Sequence, residues 1–306
     1  MKKFILLILL FFICLFEPKL FAQVNDSLAL VEPIPAELTT KKKLIITGLV
    51  LQQAASMYVE YKWWWEGNYH PFVIYSDGWF EKNSYSLGVD KAGHFYTSYM
   101  YFNVLNELLK WGEFDNRTSL ILSTSIPFVW ALSIEIGDGF SNYNFSQTDL
   151  LANSLGITYG LLQAKIPFLQ NFKFKFSYYP SSYYQKNNFK DWSLTADYDG
   201  HIYWLSMDVH NILPHTAKKY WLKYLNLSIG YGMEGFAKTN DEGNFNKINY
   251  KERKFCIGLD WNLSAFTAKN KTLKTALNIL DYYHFPAPGV RKVGKETFEF
   301  KPLLLN

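Results

Sequence analysis

The sequence predicts an α+β fold: an N-terminal helical bundle of about four helices, followed by an antiparallel β-sheet of about five or more strands. Three observations predict it. Residues 44–166 contain long apolar stretches with helical length and stop signals, whereas residues 171–262 alternate with period two. The change of period falls once, near residue 170. A run of helices followed by a run of strands excludes βαβ winding and a parallel sheet.

The first segment is not part of either half. Lys2 and Lys3 precede an unbroken apolar run over residues 4–16, which Glu17, Pro18 and Lys19 end, with Ala22 at a small-residue cleavage position. That is the layout of a secretory signal peptide over residues 1–22. It predicts export and a site of action in a bacterial-type cell envelope, at the outer membrane or facing the periplasm. The run is short for a mature spanning helix, which needs about 20 residues. Cys14 is preceded by Phe12 and Ile13 rather than small residues, which argues against lipidation there. Residues 23–40, with Pro33 and Pro35, read as an extended lead. The division expected is then a helical domain over 41–170 and a β domain with a C-terminal tail over 171–306.

The helices follow in order. The first covers about 44–64, and an aromatic loop runs over 65–88. The second starts near Val89 and ends near Gly112. The third covers about 118–136, with Pro127 inside it and Gly137 and Gly139 expected to stop it. The fourth covers 146–165 and ends before Pro167. Residues 118–134 carry no charge, and a helix apolar all round is buried in a core or in lipid. Both readings stay open. In the β half, Phe172, Phe174 and Phe176 alternate with Lys173 and Lys175, and further strands are expected at 192–198, 202–207, 225–231 and 255–261. A short helix follows residue 271, then a Pro/Gly-rich tail.

Composition narrows the function classes. Loss of residues 1–22 leaves a near-neutral chain, which excludes the concentrated basic face of a nucleic-acid binder. Lys41, Lys42 and Lys43 read as a solvated helix flank, or as a contact for anionic headgroups. Aromatic residues make up 19% of the chain, a content that suits membrane interfaces. An envelope membrane is therefore one expected partner, and a protein partner another. Cys256 is the one cysteine beyond the signal segment and sits in a strand pattern, so a buried structural thiol is expected.

The polar residues inside these apolar helices mark the candidate site. Asp90, His94 and Ser98 share one helix face at intervals of four. Glu135 and Asp138 stand at the end of the third helix, and Asp149 and Asn153 at the start of the fourth. Should the three helix ends meet, carboxylates surround one imidazole. Such a set can bind a divalent metal or do general acid–base work, with His94 oriented by Asp90. Each residue also has a structural reading. Asp90 suits a helix N-terminus, Ser146 and Asp149 match a capping pattern, and Lys91 can pair with Glu135 or Asp138. No cofactor motif is present: there is no paired-histidine zinc motif, glycine-rich phosphate loop or nucleophile elbow.

The series Asp90-Lys91-x-x-His94, Glu135-x-x-Asp138-Gly139, and Asp149-x-x-x-Asn153-x-x-Gly156 resembles the YfiM-like family of uncharacterised predicted periplasmic lipoproteins. The stretches 197–206 and 227–232 are similar to its longer Bacteroidetes-type versions. More distantly the series is similar to VanZ-like membrane proteins, which implies membrane association for the helices and no established reaction. Two functions follow as expectations. One is a non-enzymatic envelope protein with a structural or partner-binding role. The other is an envelope enzyme or ligand-binding protein that uses Asp90, His94, Glu135, Asp138 and Asp149 on a lipid or cell-wall substrate.

Overall fold

The computed structural model describes residues 38–76, 78–189, 193–236 and 251–305. The segment read as a signal peptide and most of the lead lie outside the described residues, as does Trp192. The fold is α+β, helices first and an antiparallel sheet after them. The chain forms two compact units, one from residues up to 75 with 105–147, the other from 76–104 with 148–306.

In the first unit, α1 (Thr40–Glu60) opens on Thr39, whose hydroxyl accepts from the Lys42 amide. Its buried side is Ile45, Leu49, Gln53, Met57 and Glu60, one stripe at helical spacing. Lys41 pairs with Glu113 at 2.6 Å, so part of the lysine run has a protein partner. A π-helical turn, Tyr61–Trp65, extends α1 and points Trp65 inward. Of the helix α2 (Val89–Trp111), Leu105 and Leu109 are buried. The helix α3 (Asn116–Gly139) is capped by Asp115, which accepts from the Thr118 amide at 2.9 Å. Among the described residues it is the one helix long and apolar enough to cross a membrane, by length and composition.

The third helix runs past the expected stop at Gly137. That glycine lies against the Trp65 ring and Gly139 against the Phe72 ring, where a Cβ would collide. Both admit aromatic rings, and the helix ends at Gly139, the second of the two expected stops. Glu60 accepts from Trp130 Nε1 at 3.1 Å, and burial raises its carboxyl from 4.5 to about 7. Two short strands, β1 (Ile74–Tyr75) and β2 (Phe145–Ser146), pair in parallel.

The second unit holds the N-terminal part of α2, the helix α4 (Gln147–Lys165) and a six-stranded sheet. The strands are β3 (Phe172–Tyr178), β4 (His201–Met207), β5 (Leu225–Glu234), β6 (Glu252–Trp261), β7 (Ala287–Val293) and β8 (Glu299–Leu304). They lie in sequence order, each antiparallel to the next. A helix, α5 (Lys271–Leu280), joins β6 to β7 and is capped by Asn270. Two sequence expectations change here. The described part of the strand expected at 192–198 forms turns and the start of a short 3-10 helix, Tyr198–Gly200. The Asp197 carboxylate accepts from Tyr178 Oη and the Ser181 amide, which holds that segment out of any ladder. The expected Pro/Gly-rich tail supplies β7 and β8.

The sheet is unusual in which face it buries. Lys175, Ser206, Ser228, Lys254 and Asp260 point inward and are almost fully buried. Lys175 Nζ binds Asp260 Oδ2 at 2.7 Å, Asp281 Oδ1 at 2.9 Å and the Trp261 carbonyl at 2.8 Å. Burial opposes the Asp281 charge, but Lys173 and Lys175 outweigh it and hold the carboxyl at about 2. His284 stacks on Trp204 with ring centroids 3.9 Å apart. Cys256 is buried on the same side, and burial pushes its thiol up to about 11. The outward side is apolar. Over β3 and β4 it packs on α2, where Phe95 meets Phe174 edge-on at 4.7 Å and Tyr96 donates to the Tyr282 carbonyl at 2.7 Å.

Candidate functional site

Two helices of the second unit build the site. Ahead of α2 the Ser86 hydroxyl accepts from the Asp90 amide at 3.0 Å, which starts the helix so that residues 90, 91 and 94 face one way. The helix α4 approaches along a small-residue face. A Cβ on Gly156 would run into the Phe95 carbonyl and stand 3.1 Å from the Tyr99 amide nitrogen. This close approach sets Asn153 against α2, where Ser98 donates to Asn153 Oδ1 at 2.8 Å. It also brings Asp149 to the first turn of α2.

The result is a five-member cluster. Lys91 Nζ donates to Asp90 Oδ2 at 2.9 Å and also to Asp149 Oδ1. His94 Nε2 lies 3.7 Å from Asp90 Oδ1 and 3.7 Å from Asp149 Oδ1. Tyr198 donates to Asp90 Oδ1 at 2.7 Å. The Lys91 side chain is 3% exposed and that of His94 26%, so the imidazole is the edge a ligand can reach. Burial opposes the Asp90 charge, but His94 and Lys91, with the Tyr198 and Lys91 hydrogen bonds, outweigh it and hold this carboxyl below the usual range. For Asp149 burial wins, aided by the like charge of Asp90, and its carboxyl is raised. Two carboxylates of similar make-up are thus pushed apart by their surroundings.

The ligand atoms of Asp90, His94 and Asp149 all lie within 4.8 Å of one another, a spacing that can hold a divalent ion. However, the Lys91 ammonium already bridges the two carboxylates and supplies a cation there. Asp90, His94 and Asp149, three of the predicted residues, thus meet within the second unit. Glu135 and Asp138 belong to the first unit and have partners there: Glu135 Oε2 accepts from the Ser146 amide at 3.2 Å and Asp138 Oδ1 from Trp65 Nε1 at 2.7 Å. Lys91 pairs with Asp90 and Asp149. Sequence reasoning missed Tyr198, which reaches Asp90 across 108 positions and follows no motif spacing.

Beside the cluster lies a cavity of about 680 Å³. Its walls include Ala92 and Phe95 of α2, Ala152 and Leu155 of α4, and Ile229 and Ile257 of the sheet. Lys91 of the cluster and Lys175 of β3 line it too, in a wall that is largely apolar. Volumes of this order suit small-molecule ligands.

A model of the predicted periplasmic lipoprotein family DUF2279 matches residues 76–165. That span contains Asp90, Lys91, His94, Glu135, Asp138, Asp149, Asn153 and Gly156. It agrees with an exported protein of the cell envelope. No curated protein and no solved structure matches the chain.

Proposed function

We propose that the chain is a cell-envelope binding protein for an amphiphile with an aliphatic chain, such as a membrane lipid or its precursor. The observation that carries this reading is the apolar cavity with one polar corner. The aliphatic part of a ligand displaces water from Ala92, Phe95, Leu155 and Ile257, at about 25 cal/mol per Å² buried. Its head group meets Lys91, the member of the cluster that lines the cavity, while Asp90 and Asp149 hold that ammonium in place. The cluster then serves recognition, and the ion pairs already present hold it ready for the ligand. Export through the segment 1–22 and the similarity of the motif series to YfiM-like and VanZ-like chains support an envelope setting with lipid at hand.

The test is direct. Protein purified from its native host is extracted with organic solvent and the extract read by mass spectrometry, and a dansyl-labelled fatty acid is titrated into delipidated protein. Leu155→Trp fills the cavity from an exposed position and should weaken binding about ten-fold or more, or 1.4 kcal/mol. Lys91→Met should alter the preference among head groups while an uncharged chain still binds. An empty extract together with equal titrations for the native chain and Leu155→Trp refutes the reading.

A further inference from the structure

The six-stranded sheet buries charged and polar side chains beside a small apolar cluster on its inner face and carries an apolar row on its outer face, as its register shows. One row crosses every strand through successive partners: Phe174, Leu205, Ile229, Ile257, Val290 and Phe300. The next row, on the opposite face, runs Lys175, Trp204, Gly230, Cys256, Arg291 and Glu299. Helix α2 covers the outward face over β3. Further along the outward row stays open, with Ile229 55%, Ile257 47% and Phe300 64% exposed. Large contiguous apolar patches are rare on soluble monomers and mark interaction surfaces. Apolar-out with polar-in is the pattern of strands that face lipid.

A second observation says what covers this face. Residues 213–224 contain Lys218, Lys219 and Lys223 and no carboxylate. Tyr220 is 79% and Leu222 67% exposed in the same stretch. The segment leads straight into β5, whose first pair with β6 is Leu225 with Trp261. Lys219 sits over the Tyr220 ring at 4.9 Å and Lys223 over the Tyr224 ring at 4.8 Å. Basic and aromatic side chains at the rim of an apolar surface match the headgroup level of a bilayer.

We propose that the outward face of β5–β8 docks on an anionic lipid bilayer, with the 218–224 segment at headgroup level. The charge favours lipid over a second copy of the chain. Paired about a two-fold axis, the lysine segments would add like charge to one contact, whereas anionic headgroups neutralise it. The docking stands whether or not the cavity takes an amphiphile; where both hold, the bilayer places lipid beside the cavity floor at Ile229 and Ile257.

Cosedimentation of the full chain with phosphatidylcholine vesicles, with and without phosphatidylglycerol, tests this. The native chain should bind the anionic vesicles and release them at high salt. The triple variant Lys218→Gln/Lys219→Gln/Lys223→Gln should bind about a hundred-fold more weakly. Val290→Asn/Phe300→Asn, on the outward row but outside the cavity lining, should lose most binding with an unchanged circular-dichroism spectrum. Native-level binding by either variant overturns the proposal. So does a dimer in sedimentation equilibrium that Phe300→Asn dissolves, because the face would then pair copies of the chain. Titration of the triple variant with the dansyl fatty acid separates the two readings: intact titration with lost docking shows that the cavity functions independently of the docking face.

Discussion

Replacing Lys91 by methionine keeps the length of the side chain and removes its charge, leaving Asp90 and Asp149 facing each other beside His94. At 2.9 Å and an effective dielectric of about 20, the Lys91–Asp90 attraction alone is about 6 kcal/mol. Desolvation of the lysine offsets part of this, and removal of one partner from a buried pair costs about 3–5 kcal/mol. For a chain of this size that corresponds to a fall in melting temperature of about 6–20 °C. The loss should depend on pH. Asp149 already has a raised carboxyl pKa in the folded state, through burial and then the Asp90 charge. Without Lys91 it rises further, so the folded variant takes up a proton more readily than the unfolded chain. Stability of the variant then falls as pH rises through that pKa, and the deficit against the native chain is larger at pH 8 than at pH 5. Adding Asp149→Asn to the variant should recover part of the loss at pH 8. Calorimetric melts at the two pH values measure all three quantities. A melt within about 1 kcal/mol of native at pH 8, or an equal deficit at both pH values, refutes the view that Lys91 neutralises this pair.

Glu60 gives a second pH signature in the other unit. Its folded pKa is raised from 4.5 to about 7, so the native state holds the extra proton in that window and stability declines as pH climbs through it, by about 3 kcal/mol in all. Glu60→Gln can keep the Trp130 hydrogen bond, and urea titrations should show it more stable than native at pH 8 with no such decline. Gly156→Ala forces α2 and α4 apart at backbone atoms and should cost about 1–3 kcal/mol in thermal melts while also weakening dansyl fatty-acid binding. Millimolar manganese or zinc should leave the native melting temperature unchanged, because the Lys91 ammonium bridges the carboxylates; Lys91→Ala should gain a metal-dependent rise in the same scan.

The fold class was legible because the change from long apolar runs to alternation is a large signal and falls at one place. The strands β7 and β8 were not, since Pro286, Pro288, Gly289 and Gly294 imitate a loop. In the sheet Gly289 is required: a Cβ there would meet the Ile257 carbonyl at 2.9 Å. Residues 194–198 failed the other way. Their alternation is real, but Asp197 spends its carboxylate on Tyr178 and Ser181, and Tyr198 spends its hydroxyl on Asp90. Those partners are distant in sequence, so no local pattern announces them. The cluster was legible as far as helical spacing reaches: Asp90 with His94 on one helix, Asp149 with Asn153 on another. The meeting of α2 with the start of α4 depends on the close approach at Gly156, which no local spacing announces. Lys173 and Lys175 show a further limit. Alternation reveals that a strand has two faces but not which of them is turned inward, and here the lysines occupy the interior because Asp260 and Asp281 await them.

Cys256 ties the sheet to the conditions of synthesis. Once β6 lies between β5 and β7, its sulfur is sealed on the inner side and too weakly acidic to react. Before that, the unpaired strand leaves this thiol open to any oxidant around it. Strand pairing and chance oxidation thus run against each other. Refolding under oxidising conditions should therefore lose yield wherever a mixed disulfide forms faster than β6 pairs with β5 and β7.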